Sequence, residues 1–193
     1  MKKLMLFASL TAFIFFGCNT DNNIVEPDAA ISKAGKTDVT WIQLPAAKEG
    51  SLRKDVLVSQ EVLGSEGAVL SINDSYEGVN GPVTIEASLE FLPGAFDSTR
   101  FISMSINDLF GETTFSPHGV FYLPAIYNLT ITGIDLTGVN PENVSFVYLS
   151  PDGTYETIVN DGLNVDIPTG TLEVINAQLP HFSRYGYTND PIE

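Results

Sequence analysis

The residues best suited to do chemistry stand close together near the end of the chain, in the stretch "LPHFSRYGY" from Leu179 to Tyr187. Histidine and serine are residue types that serve in acid–base and nucleophilic catalysis. His181 and Ser183 are two residues apart, so an extended strand places the imidazole and the hydroxyl on one face, where they can approach each other. The alternative is a structural strand, in which Phe182 fills the core, His181 caps the strand and Ser183 bonds the backbone.

The start of the chain has the pattern of a secretory signal. Two lysines precede an apolar run, residues 4–16, which is shorter than the about 20 residues that span a membrane core but suits a signal-peptide core. Gly17 stands directly before Cys18, the one cysteine of the chain. The stretch "FFGC" resembles a bacterial lipobox, in which the cysteine is diacylated through sulfur and becomes the mature N-terminus. Residues 1–17 are therefore expected to be a signal peptide.

The lipobox resemblance implies a lipid-anchored protein of the bacterial cell envelope, whose first partner is the bilayer that holds acylated Cys18. Phe15 and Phe16 depart from the usual pattern, which has Leu and a small residue at these positions. Asn19 follows the cysteine, and by resemblance to Gram-negative sorting rules this favours the outer membrane. The alternative is a cleaved secretory signal with an incidental cysteine.

Composition limits the possible partners of the body of the protein. The chain carries a net charge of −15. Nucleic-acid binding requires a basic stripe that replaces phosphate counterions, and the sequence has none, so no nucleic-acid partner is expected. Anionic lipid headgroups also repel an acidic domain. Residues 18–38 are polar and lack apolar periodicity, which indicates a flexible tether between the lipid and a domain held in solution.

The rest of the chain is rich in β-strand patterns. Residues 39–64 hold short apolar segments that are expected to be lead-in strands, with Trp41 packed on the domain. In Val83–Phe91 the odd positions are apolar and the even positions polar, which places one face in a core and the other in water. Pro93–Gly94 and Asp152–Gly153 predict turns, the second of them within a hairpin. The fold class predicted is an all-β, single antiparallel β-sandwich over residues 65–189.

Three short motifs in this region follow one another in a recognisable order. They are "LEFLPGAF", "FSPHGVFYLPAIYNLTI" and "HFSRYGY". In this order they resemble the ZU-five domain of ankyrins and netrin receptors, a β-sandwich module, over residues 67–187. The stretch "SYEGVNGP" departs from the family's first strand, and an unrelated immunoglobulin-like sandwich is the alternative. Physically, Pro124 inside an apolar run is expected at an edge or at a strand start, since proline cannot donate to a ladder.

Some members of this family, and the related autoproteolytic domain of adhesion receptors, cleave themselves between Phe and Ser after a His. Carried over, the resemblance implies His181 as general base and Ser183 as the nucleophile that attacks the Phe182 carbonyl. An ester forms by N-to-O acyl shift, and water then hydrolyses it. A positioned base contributes about 3–5 kcal/mol, whereas enzymic acceleration takes about 8–23 kcal/mol. Cleavage would therefore also need a kinked bond and an oxyanion donor.

The chain offers few other chemical groups. With two histidines and a lipidated cysteine no zinc set can be assembled, and His118 in "SPHGV" is expected in a turn. The acidic stretches "INDSYEG" and "NDGLNVD" carry oxygen ligands of the kind that calcium prefers, but neither follows an EF-hand pattern, and solvated loops are expected. Neither a phosphate loop nor a Gly-x-Ser-x-Gly elbow is found. We therefore expect no metal, no cofactor and no enzyme beyond self-cleavage.

Three functions are compatible with these patterns. The first is a lipid-anchored, non-catalytic envelope protein that displays a β-sandwich for protein interaction or structural support. The second is a module that cuts itself once, between Phe182 and Ser183. The third is a carbohydrate-binding module, which requires clustered exposed aromatic side chains. Its candidates are also ordinary strand residues, because tyrosine favours sheets; they are Tyr76, Tyr122, Tyr148, Tyr155, Tyr185 and Tyr187.

Overall fold

The computed structural model describes residues 33–34, 40–50 and 55–190, which form two antiparallel sheets. The strands are β1 (Lys33–Ala34), β2 (Val56–Leu63), β3 (Ala68–Gly78), β4 (Gly81–Phe91), β5 (Thr99–Ile106), β6 (Thr113–Ser116), β7 (Val120–Thr132), β8 (Ser145–Leu149), β9 (Tyr155–Thr157), β10 (Gly162–Asp166), β11 (Thr171–His181) and β12 (Arg184–Thr188), and one 3-10 turn covers Pro141–Asn143. One sheet has the order β1-β9-β8-β12-β6-β5-β2 and the other β10-β11-β7-β4-β3. The predicted all-β sandwich is confirmed.

The core lies between the sheets because the strands alternate as the sequence predicts. In β4 the apolar side chains from Val83 to Phe91 are buried while Glu86 and Glu90 are exposed. β3 pairs with β4 along its whole length, from Ala68 opposite Phe91 to Gly78 opposite Gly81. The stretch "SYEGVNGP" is thus a hairpin between two long strands, which joins them rather than interrupting one.

The residues expected as lead-in strands pack into the same two sheets. Ile42 and Leu44 are buried in the core, and all eight residues of β2 pair with β5. Trp41 packs against the buried Val147 cluster on the outer side of β8, as predicted. The signal peptide, Cys18 and the tether lie outside the described residues, except for β1, which pairs with β9. No helix of the described residues is long and apolar enough to cross a bilayer.

The expected position of Pro124 is wrong. It lies inside β7, which runs between β11 and β4 in the middle of its sheet. The reason that proline is tolerated there is local. The pairing of β7 with β4 ends at Ile126, and the register of β7 with β11 shifts between Ala125 and Val120. Pro124 therefore falls in an irregularity where no ladder hydrogen bond is lost.

The two predicted turns are present. The amide of Ala95 donates to the carbonyl of Leu92 at 3.1 Å, and Gly94 between them has φ 90. Proline before a glycine of positive φ is the type II turn pattern. In the β8–β9 hairpin the Ser150 amide donates to the Thr154 carbonyl at 2.8 Å, which closes the loop around Asp152–Gly153.

Candidate functional site

His181, Phe182 and Ser183 form a corner between the two sheets. His181 ends β11 in the five-stranded sheet, Arg184 begins β12 in the seven-stranded sheet, and the chain bends at Ser183. The expectation that His181 and Ser183 lie on one face of a single extended strand is therefore wrong. The chain must turn here, because consecutive strands that belong to different layers cannot continue in one direction.

The backbone of this corner is hydrogen-bonded to β6 and to the residues between β6 and β7. The Phe182 amide donates to the Gly119 carbonyl at 3.1 Å, and the Phe115 amide donates to the Ser183 carbonyl at 2.9 Å. The Nδ1 atom of His118 lies 2.9 Å from the Phe182 carbonyl oxygen. A carbonyl oxygen only accepts, so Nδ1 carries the hydrogen and donates it. Sequence reasoning placed His118 in a turn but missed this partner.

The imidazole of His181 lies against tyrosine rings. Its ring centroid is 4.6 Å from that of Tyr148, in an edge-on arrangement. Its Nδ1 atom is 3.4 Å from the hydroxyl of Tyr185, which itself donates to the His181 carbonyl at 2.6 Å. Burial raises the pKa of Tyr185 far above its usual value, so that hydroxyl keeps its proton. Both tyrosine rings belong to the sheet that the chain enters after the corner.

Phe182 fills the core, as the structural alternative predicts. Its side chain is 2% exposed. The ring stacks on Phe115 at 5.1 Å between centroids, meets Phe121 edge-on at 4.8 Å and lies 5.7 Å from Phe91. Aromatic pairs of this kind contribute about 0.5–1.5 kcal/mol each beyond the area that they bury. Phe182, the middle residue of the corner, consequently anchors the corner to the core.

Ser183 is 5% exposed, and no described residue makes a hydrogen bond with its hydroxyl. The expected bond of this serine to the backbone is made by its carbonyl instead, which accepts from Phe115. The corner contains one of the two contacts that self-cleavage would require. A donor points at the Phe182 carbonyl oxygen, which is what an oxyanion requires, but no base among the described residues makes a hydrogen bond with the nucleophile.

The other predicted site residues are distributed through the fold. Among the described residues no group of three or more His, Cys, Asp or Glu side chains is placed to hold a metal ion. The acidic stretches expected as loops are largely strands: residues 72–78 lie in β3, and the second stretch contains β10. In β3, Asp74 and Glu77 are three residues apart and so point to opposite faces of the strand, and their carboxylates do not converge.

Of the six tyrosines named as candidates, Tyr122 is exposed, Tyr76 and Tyr148 are partly buried, and the other three are buried. Tyr155, Tyr185 and Tyr187 are at most 1% exposed and belong to the cores, whereas Tyr122 is 72% exposed. The Tyr122 hydroxyl lies 3.2 Å from an Asp97 carboxylate oxygen, on the end of the sandwich. Strand-forming tyrosine is thus the correct interpretation for the three buried rings.

Comparison of the chain with protein families, with curated proteins and with solved structures finds no match. The likeness to the ZU-five domain thus remains a resemblance carried by three motifs. The fold is described by its own strand order.

Proposed function

We propose that this protein is a lipid-anchored, non-catalytic protein of the bacterial envelope that displays its β-sandwich as a binding surface for another protein. The anchor is Cys18 in "FFGC", and residues 18–38 are the tether. The observation that carries the non-catalytic part is the corner at Phe182–Ser183. Its histidine ring packs on Tyr148 and Tyr185, and no described residue makes a hydrogen bond with its serine hydroxyl.

The charge of the domain supports a protein partner. Residues 55–190 hold eighteen acidic side chains against two basic ones, Arg100 and Arg184. This negative field repels anionic lipid and nucleic acid. It attracts a basic protein surface, and its main effect is to increase the rate at which the two proteins meet.

The anchor is tested by expressing the full chain and a Cys18→Ser variant in a Gram-negative bacterium. We expect the wild-type protein in the detergent phase on phase partition and in the outer-membrane fraction. The variant should move to the aqueous phase, since two or three acyl chains hold firmly and none remains. Equal partition of both proteins would contradict the anchor.

Self-cleavage is the second candidate, and one contact favours it. The Nδ1–H group of His118 donates to the Phe182 carbonyl oxygen, at which negative charge would develop if Ser183 attacked. The reaction would form an ester between Phe182 and the Ser183 oxygen, free the Ser183 amine and end with hydrolysis. His181 is the base that the family resemblance implies, and its ring packs edge-on against Tyr148.

Denaturing intact mass separates the two functions. The mature wild-type protein is compared with Ser183→Ala and with Ser103→Ala, a serine on the outer side of β5. We expect all three chains to remain whole after prolonged incubation in the folded state. If the wild-type and Ser103→Ala chains are split at Phe182–Ser183 while the Ser183→Ala chain stays whole, self-cleavage is established instead.

A further inference from the structure

The strand β2 lies at the edge of the seven-stranded sheet. All eight of its residues pair with β5 in an uninterrupted register, and no described residue pairs with its other side. Proteins commonly protect such an edge with proline, lysine, a bulge or a very short strand. β2 has none of these features, and Glu61 is its one charged residue. The N–H and C=O groups on its outer side can therefore pair with another strand.

The other three edge strands differ from β2. β1 has two residues and β10 has five. β3 is long, but the residues before β2 cover its end. Ala47 forms an isolated bridge with Gly78, and the Lys48 amide donates to the Glu77 carbonyl at 2.8 Å. Among the described residues, β2 is thus the edge that is both long and uncovered along its whole length.

The sequence of β2 has a similar pattern in both directions from Gln60. In "LVSQEVL", Leu57 and Leu63 are equally distant from Gln60, as are Val58 and Val62. Antiparallel pairing of two copies about a two-fold axis at Gln60 would place Leu57 opposite Leu63 of the other copy. It would likewise place Val58 opposite Val62. Because directly opposite residues point to the same face of a sheet, each of these apolar side chains would meet another apolar one.

The polar residues of β2 suit the same register. Ser59 would lie opposite Glu61 of the other copy, so the two carboxylates would not be directly opposed, as like charges that destabilise a sheet would be. Gln60 would lie opposite its own copy, and an amide side chain both donates and accepts hydrogen bonds. Leu57 is 65% exposed and Leu63 is 41% exposed. The pairing would therefore also remove apolar surface from water.

We propose that β2 is a dimerisation edge, at which two copies of this chain join their seven-stranded sheets by antiparallel pairing about Gln60. The occupant is a second copy because the side-chain pattern of the strand is complementary to itself in that register. This contact goes beyond the proposed function, since it requires neither a basic partner nor the lipid anchor. Both copies are strongly acidic, so their overall charge opposes the contact, and added salt strengthens it by screening that repulsion.

Cysteine cross-linking tests the register in the full chain, purified in detergent and oxidised with copper phenanthroline. The axis brings the Cα atoms of the two copies of Gln60 to about 4.5–5.5 Å, a separation that a disulfide bridges. Gln60→Cys should therefore form a covalent dimer rapidly. In Ser59→Cys the two Cα atoms would lie more than about 7 Å apart, too far for a disulfide, so little dimer is expected. Asn164→Cys, an exposed position on the edge strand β10, should match the wild-type chain.

Two results of this experiment would overturn the proposal. Equal amounts of dimer from Gln60→Cys and Asn164→Cys would mean random collision. More dimer from Ser59→Cys than from Gln60→Cys would mean a different register. The wild-type chain gives the background from Cys18.

Sedimentation velocity then measures the equilibrium between monomer and dimer without a cross-link. We expect the wild-type chain to dimerise reversibly, and more tightly as salt is added. Gln60→Lys places two ammonium groups opposite each other and should raise the dissociation constant at least about tenfold. Asn164→Lys makes the same change of charge on β10 and should alter the constant less than about twofold. Thermal melts check that both variants fold.

Equal effects of the two lysine variants would mean that β2 is not the contact. A wild-type chain that stays monomeric at high salt and high protein concentration would mean that β2 pairs with another occupant or with none. Either result would overturn the dimerisation edge and leave the proposed function standing, because the anchor is tested separately by phase partition.

Discussion

The Nδ1 atom of His118 lies 2.9 Å from the carbonyl oxygen of Phe182, 64 residues further along the chain. This bond joins the residues between β6 and β7 to the corner at which the chain passes from one sheet to the other. His118 is thus a side-chain donor to the carbonyl of the peptide bond that the family resemblance marks for cleavage.

Removing this donor should destabilise the fold. His118→Ala removes the hydrogen bond to the Phe182 carbonyl, and because the side chain of His118 is exposed, water can take its place. We expect a loss of about 0.5–1.5 kcal/mol in the free energy of unfolding. His118→Asn places an amide donor at a similar distance from the backbone and should recover part of the loss. Urea denaturation measures both. Equal losses for the two variants would mean that packing of the ring, and not the hydrogen bond, stabilises the corner.

Phe182 should be among the residues whose truncation costs most. Phe182→Ala removes a ring that contacts three other phenylalanines, and a loss of about 3–5 kcal/mol is expected. Phe101→Ala is the control, because that ring is 65% exposed on β5 and should cost less than about 1 kcal/mol. Urea midpoints that fall equally for the two variants would refute the assignment of Phe182 to the core.

Two glycines of similar backbone conformation should respond differently to alanine. Gly133 has φ 77 and Gly138 has φ 82, so both substitutions carry the strain of a left-handed residue. A Cβ atom at Gly133 would lie 2.1 Å from the Pro82 carbonyl oxygen, whereas at Gly138 nothing lies within 4 Å. Gly133→Ala should therefore lower the melting temperature much more than Gly138→Ala, as measured by calorimetry.

High pH should unfold the protein through its buried tyrosines. Burial raises the pKa of Tyr127, Tyr185 and Tyr187 well above the usual value. Above pH about 10 these groups lose protons in the unfolded chain but keep them in the folded one, so stability falls as pH rises further.

Tyrosinate absorbance measured during an alkaline titration checks this behaviour. Tyr127, Tyr185 and Tyr187 should ionise together with the loss of the circular dichroism signal of the sheets. Tyr127→Phe keeps the ring and removes one of these groups, at the expense of the hydrogen bond to Thr113. It should make the pH dependence less steep. Complete ionisation of all tyrosines in the folded protein would contradict the burial.

Local patterns in the sequence were enough to predict the class of the fold. Alternation in Val83–Phe91 determines which side of β4 meets the core, because successive side chains point to opposite faces. The turns at Pro93–Gly94 and Asp152–Gly153 follow from residues that suit those backbone angles. The sheet to which each strand belongs cannot be predicted from such patterns, because alternation of side chains with a period of two identifies neither the neighbouring strand nor the layer.

Tertiary structure alone decided the character of the corner. The sequence placed His181 and Ser183 two residues apart, and whether the chain stays extended between them depends on where β11 and β12 pair, which is a long-range property. The partner of His118 is 64 residues away, in the chain segment that links the two sheets. Composition and spacing reveal which groups are available, but only the packing of distant strands determines which of them meet.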